Sequence, residues 1–175
     1  MKRVVLTGAE CTGKTTLAKA LADHYGEPWS DEYVRHYVNQ LDRPLERADL
    51  EPIARGQLAL EDSAAERAKR FVLHDTDLFS SILYAKHYFG AQIDWVDEAF
   101  RQRRDGLYLL CTPEGIDWEA DPGQREGPAA RATLHRIFKR ELNKQNLPHT
   151  ELTGSVEERF RAAVAAIDRF LSPPE

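Results

Sequence analysis

Short apolar runs alternate with longer amphipathic stretches along this chain. Val4-Val5-Leu6 passes directly into a glycine-bearing turn. Residues 14–25 follow as a helix, with Leu17, Ala20, Leu21 and Ala22 marking one face and Gly26 ending it. Residues 27–30 have room for a short second strand, and residues 31–41 read as a helix. A long helical pattern over 46–70 carries Leu50, Ile53, Ala54, Leu58, Leu60 and Ala64, with Pro52 in its first turn. Phe71-Val72-Leu73-His74-Asp75 is the next strand, followed by helices over 78–89 and about 94–104. Leu107–Cys111 is the clearest strand and stops at Thr112-Pro113. After a polar, turn-rich segment (114–128) come a helix over about 129–146, a weak strand at 149–152 and a last helix over 155–171. Ser155-Val156-Glu157-Glu158 reads as a capping box for that helix. Strands alternating with helices predict an α/β fold: a parallel sheet with helices on both faces. With no repeat and no linker, one domain over residues 1–175 is expected.

Composition narrows the function classes. The 175 residues hold 24 Lys+Arg against 29 Asp+Glu, a net charge of −5, with no basic block, which disfavours non-specific nucleic-acid binding. Mean hydropathy is −0.57, and no run is long enough for a membrane helix or a signal peptide, so a cytoplasmic protein without a membrane partner is expected. Two cysteines, Cys11 and Cys111, are too few for a disulfide framework or a four-ligand zinc site. Oligomeric state is left open: an apolar stripe on 46–70 or 155–171 is either a dimer face or core.

The chemistry begins at Gly8-Ala9-Glu10-Cys11-Thr12-Gly13-Lys14-Thr15, a P-loop. Gly8 and Gly13 let the backbone turn its N–H groups inward as a nest for phosphate oxygens. Lys14 brings a positive charge to the terminal phosphates, the Thr15 hydroxyl can ligate Mg²⁺, and the helix continuing through Thr16 adds its dipole. The motif lies between a predicted strand and a predicted helix, as nucleotide binding requires. No Asn-Lys-x-Asp segment reads guanine, and a motor needs a larger domain, so a compact ATP-dependent kinase fits best.

Ligands of such a sheet gather at the carboxyl ends of its strands, where two acidic sites fall. Asp75 can orient a Mg²⁺ shell, or it can cap the next helix, which Asp77 would do equally well. In Asp31-Glu32-Tyr33-Val34-Arg35, Glu32 can accept an acceptor hydroxyl's proton, and Arg35 can hold substrate oxygens or pair with Asp31. An acidic helix start favouring the dipole explains the same residues. The segment 114–128 reads as a lid, with Arg125 carried over the phosphates and Arg131 following on the next helix.

Gly8–Thr15, Glu32-Tyr33-Val34-Arg35-His36-Tyr37, Asp75-Thr76-Asp77 and Trp118-Glu119-Ala120-Asp121-Pro122-Gly123-Gln124-Arg125 occur in this order. Together they resemble the nicotinamide riboside kinase domain of the NadR proteins, a P-loop small-molecule kinase family. The resemblance implies a three-layer αβα P-loop NTPase fold with five parallel strands in the order 2-3-1-4-5. It implies ATP·Mg²⁺ as donor and a ribosyl hydroxyl as acceptor, giving nicotinamide mononucleotide. Asp31, Glu32, Tyr33, Arg35 and Asp77 would then form the nucleoside side, and Asp75 would face the metal, with Thr15, and the acceptor hydroxyl, whose proton goes to either Asp75 or Glu32. Lys14, Arg125 and Arg131 would face the phosphates, and 153–155 would lie near adenine. An aromatic residue is implied just before the Glu-Tyr pair, where this chain has Asp31; that carboxylate could pair with a cationic pyridinium, or the site takes another base. The adenylyltransferase domain of NadR proteins is expected to belong to another protein. Rival readings are a kinase for another nucleoside or a nucleoside monophosphate, and a non-catalytic ATP-sensing module.

Overall fold

A computed structural model describes residues 1–119 and 127–172. Five strands, β1 (Lys2–Thr7), β2 (Trp29–Ser30), β3 (Phe71–Asp75), β4 (Leu107–Cys111) and β5 (His149–Leu152), form one sheet in the order β2-β3-β1-β4-β5. Every pairing is parallel. The connecting helices are α1 (Lys14–Tyr25), α2 (Tyr33–Val38), α3 (Leu50–Arg67), α4 (Leu78–Phe89), α5 (Asp94–Arg101), α6 (Pro128–Lys144) and α7 (Val156–Leu171).

The period-2 geometry of a strand sorts the central residues between two cores. Val4 and Leu6 of β1, Phe71 and Leu73 of β3, and Leu107 and Leu109 of β4 pack against α1 and α7 through Leu17, Leu21, Ala163 and Ile167. Val5, Tyr108 and Leu110 face the other way, against Phe79, Phe100, Phe138 and Leu142 of α4–α6. The stripes on α3 and α7 supply core residues, among them Ala54 and Ile167.

Several expected boundaries shift. α2 keeps only Tyr33–Val38 and buries none of its residues, so tertiary contact does not extend it. The 46–70 stretch opens with a 3₁₀ turn at Arg47–Asp49 before α3 begins. On α1 the buried face is Leu17, Ala18, Leu21 and Ala22, whereas Ala20 is exposed. The Ser155–Glu158 capping box forms in full, satisfying two amides at the start of α7. Among the described residues no helix is long and apolar enough to cross a membrane.

Candidate nucleotide and acceptor site

The loop after β1 owes its shape to three residues with positive φ. Gly8 sits at φ 129°, and a Cβ there would lie 2.7 Å from the Cys111 carbonyl oxygen, so only glycine fits against β4. Gly13, at φ 79°, leads into α1, whose first turn has no side-chain cap. Its first amides are therefore free to meet an anion. Cys11, at φ 54°, pays a strain that glycine would not. The Thr12 hydroxyl and the Lys14 ammonium both donate to the Ala9 carbonyl, at 2.9 and 2.7 Å. Ala9 is buried, Glu10 is half-buried and accepts from the Tyr84 hydroxyl at 3.4 Å, and Thr16 faces solvent.

The end of β3 lies beside this loop because β3 pairs with β1, with Leu6 opposite Asp75. The Thr15 hydroxyl donates to Asp75 Oδ2 at 2.5 Å, and Asp75 Oδ1 is buried without a partner among the described residues. Burial, reinforced by the negative charge of Glu32, raises Asp75 from 3.8 to about 6; Lys14, the Thr15 hydrogen bond and Arg35 oppose the rise. A hydroxyl and an orphaned carboxylate oxygen side by side suit Mg²⁺, which takes few protein ligands beside phosphate oxygens. Among the described residues no group of three His, Cys, Asp or Glu side chains gathers as a self-sufficient metal site.

Thr76 turns the chain at φ 64°, rare for a β-branched residue, and so separates two aspartates with different tasks. The expectation that Asp77 contacts substrate is corrected. Asp77 is buried as the N-cap of α4, accepting from the Phe79 amide at 3.0 Å and the Tyr108 hydroxyl at 2.9 Å. Helix capping thus falls to Asp77 and leaves Asp75 free to face the loop.

Beyond Glu10 opens a cavity of about 830 Å³ lined by α2, α3, α4, α5 and the end of α6, within the range of small-molecule sites. Glu32 and Arg35 line it and pair at 2.8 Å. Asp31 and Tyr33 do not line it. Asp31 accepts from the Glu32 amide and pairs with His36 at 3.1 Å, while Arg35 pairs with Glu32 instead of Asp31. Tyr33 lies flat on Gly56, and its amide donates to Gln57, whose own amide reaches the Thr76 carbonyl at 3.4 Å. Gln57, buried on α3, thereby ties α2 to the Asp75 turn. Of the charged residues lining the cavity, Glu10, Glu32, Asp97 and Glu141 outnumber Arg35 and Lys86.

Arg125 lies outside the described residues. Arg131 is buried, and its Nη1 donates to the carbonyls of Cys11 and Ile116, at 2.9 and 3.0 Å. Its guanidinium lies 5.4 Å from the Trp118 ring centroid. These contacts are with backbone and ring, and Nε is buried without a partner among the described residues. Sequence reading missed Arg159, buried at the start of α7 and bound to the carbonyls of Gly154, Thr112 and Glu114. Its signal was available: an arginine one turn before Ala163 and two before Ala166, on the face that α7 buries.

The chain is 27% identical over 150 residues to the trifunctional NAD biosynthesis/regulator protein NadR of Salmonella typhimurium. That match takes in 83% of this chain and 36% of the relative, so the chain spans about a third of that protein's length. Among solved structures, a NadR protein in complex with NR superposes with a TM-score of 0.73 at 24% identity, over 97% of this chain and 51% of that one. A deoxyadenosine kinase from M. mycoides with bound dATP gives 0.63 at 14% identity, over 96% and 100% of the two chains. At such identities these likenesses establish the fold. A family profile described as an AAA domain matches residues 3–159. With the P-loop and the Asp75 turn both inside that span, the chain belongs to this AAA-domain family of P-loop proteins.

Proposed function

We propose that this protein is a kinase transferring the γ-phosphoryl group of ATP to the ribose hydroxyl of a nucleoside, and that nicotinamide riboside is the acceptor. One juxtaposition carries the reading: the Asp75 carboxylate touches Thr15 of the phosphate loop on one side, while the Glu32–Arg35 pair lines an acidic cavity on the other. Lys14 and the uncapped amides of α1 would take the donor phosphates. Thr15 and Asp75 would hold Mg²⁺, which supplies charge neutralisation at the transferring group. Glu32 would receive the acceptor hydroxyl's proton, with Arg35 orienting its carboxylate.

The cavity's charge balance separates acceptor classes. Arg35 is already neutralised by Glu32, and the lining acids outnumber Arg35 and Lys86 by four to two, so a nucleoside monophosphate would meet a net negative lining. A cationic pyridinium nucleoside would be welcomed. Likeness to the NadR–NR structure supports the same acceptor, and likeness to a deoxyadenosine kinase supports an uncharged nucleoside as second choice. A nucleoside panel with an ATP-consumption readout tests this. Nicotinamide riboside is expected to give the highest kcat/KM and nucleoside monophosphates none. Turnover of another nucleoside alone would remove the named acceptor, and ATP binding without any acceptor-dependent turnover would favour a nucleotide-sensing module.

A further inference from the structure

The segment Thr112–Glu119 leaves β4 and runs as a strap past the phosphate loop, held at both ends by buried arginines. Arg159 holds the first end, donating from Nη1 to the Thr112 carbonyl at 3.0 Å, from Nη2 to the Glu114 carbonyl, and from Nε to the Gly154 carbonyl at 2.8 Å. Arg131 holds the second, bridging the Ile116 carbonyl and the Cys11 carbonyl while facing the Trp118 ring. Between these points the Cys11 thiol donates to the Asp117 carbonyl at 3.5 Å and accepts the Glu119 amide at 3.4 Å. Cys11 is therefore gripped through its carbonyl and its side chain, at the one non-glycine residue of the phosphate loop with positive φ.

We infer that Arg131 is a positioning residue for the phosphoryl donor: by tying the phosphate loop at Cys11 to the Ile116–Glu119 strap, it sets the shape of the amide nest in advance of nucleotide binding. A left-handed conformation at a residue with a Cβ is disfavoured and persists only where its surroundings hold it. The surroundings here are a guanidinium with 8% of its residue surface exposed. Charged donors make the stronger hydrogen bonds, and burial strengthens them further. The guanidinium plane serves two carbonyls and an aromatic face together, which a lysine ammonium cannot reproduce. Pre-shaping a site lowers the ordering cost of binding, so its loss is read in donor affinity. This inference rests on the phosphate loop as the donor site and not on the identity of the acceptor.

The test uses the full chain with Arg131→Lys and two readouts that need no acceptor. The first is the Kd of the non-hydrolysable ATP analogue AMP-PNP, by calorimetry. The second is the rate of Cys11 alkylation by iodoacetamide, by mass spectrometry. Cys111 is an internal control, because it is buried and burial pushes its thiol up to about 11. The variant is expected to weaken AMP-PNP about tenfold, the equivalent of one lost charge-assisted hydrogen bond. Cys11 alkylation is expected to accelerate by roughly fivefold as the grip opens more often, while Cys111 stays unlabelled. A lower melting temperature with unchanged AMP-PNP affinity and unchanged Cys11 reactivity would show a structural brace only, and would overturn the inference. Should Arg131→Lys expose Cys111 through unfolding, Trp118→Leu removes the ring alone. It is expected to move both readouts in the same direction by about threefold, and no movement in either refutes the inference.

Discussion

Replacing Asp75 by asparagine should separate stability from activity. Burial and the nearby Glu32 charge raise this carboxyl from 3.8 to about 6 in the folded protein. The folded state therefore prefers the protonated form. The stability that preference brings is complete below about pH 4 and is lost as pH rises through about 6. Above pH 7 the ionised carboxylate costs the fold on the order of 3 kcal/mol relative to its unfolded value. Asparagine retains an oxygen for the Thr15 hydroxyl, but sets an amide where Oδ1 already lacks a partner. That introduces an offset of about 1–3 kcal/mol which does not vary with pH. Urea unfolding of both proteins from pH 4 to pH 7.5 removes the offset by difference, and groups common to both cancel. The stability of the variant minus that of the wild type should rise by about 3 kcal/mol from pH 4 to pH 7.5, equivalent to roughly 6–12 °C in the gap between melting temperatures. Turnover at pH 7.5, where the wild-type carboxyl is ionised, should meanwhile fall by about a hundredfold or more, since a neutral amide cannot hold the metal as a carboxylate does. A variant-minus-wild-type difference that stays level, or that falls as pH rises, would refute the assignment of a raised carboxyl at this position.

Two further outcomes test the scaffold. Gly56→Ala would place a Cβ 2.1–2.3 Å from the Tyr33 ring, so Tyr33 and the neighbouring Glu32 must shift. It should cost about 1–3 kcal/mol by overpacking and raise the acceptor KM, while calorimetry finds AMP-PNP affinity unchanged. Ser155→Ala deletes the hydroxyl that accepts from the Glu158 amide. Thermal unfolding should show a loss of about 1 kcal/mol, or roughly 2–4 °C in Tm.

The raised carboxyl and the Cys11 grip show how the site couples strain to function. Asp75 is held partly desolvated and close to Glu32, and Cys11 and Thr76 are held in left-handed conformations. Each costs stability, and each is held by contacts from another segment: Thr15 for Asp75, Arg131 for Cys11, and Gln57 for Thr76. Residues that violate local preference thus collect where phosphate and acceptor would meet, as expected of a functional site.

Legibility in the sequence followed the range of the interactions. Helices α1 and α4 end where Gly26 and Gly90 permit a left-handed cap, and the Ser155–Glu158 box starts α7, all within four or five residues of chain. The phosphate loop and the Asp75 turn were legible for the same reason, since their chemistry is contained in a contiguous motif. Alternation of strands and helices predicted a parallel sheet, whereas its order was available only through the family resemblance. The roles of single polar side chains were not legible. Asp31 and Asp77 look like ligands in the sequence, but a neighbouring amide and His36 occupy one, and the α4 amides and Tyr108 occupy the other. Arg131 meets Cys11 across 120 residues, and Arg159 meets Thr112 across 47. A buried polar group must find a partner, and packing between distant segments decides which. Sequence alone determined where phosphate would bind; only the tertiary structure decided which side chains hold that site in shape.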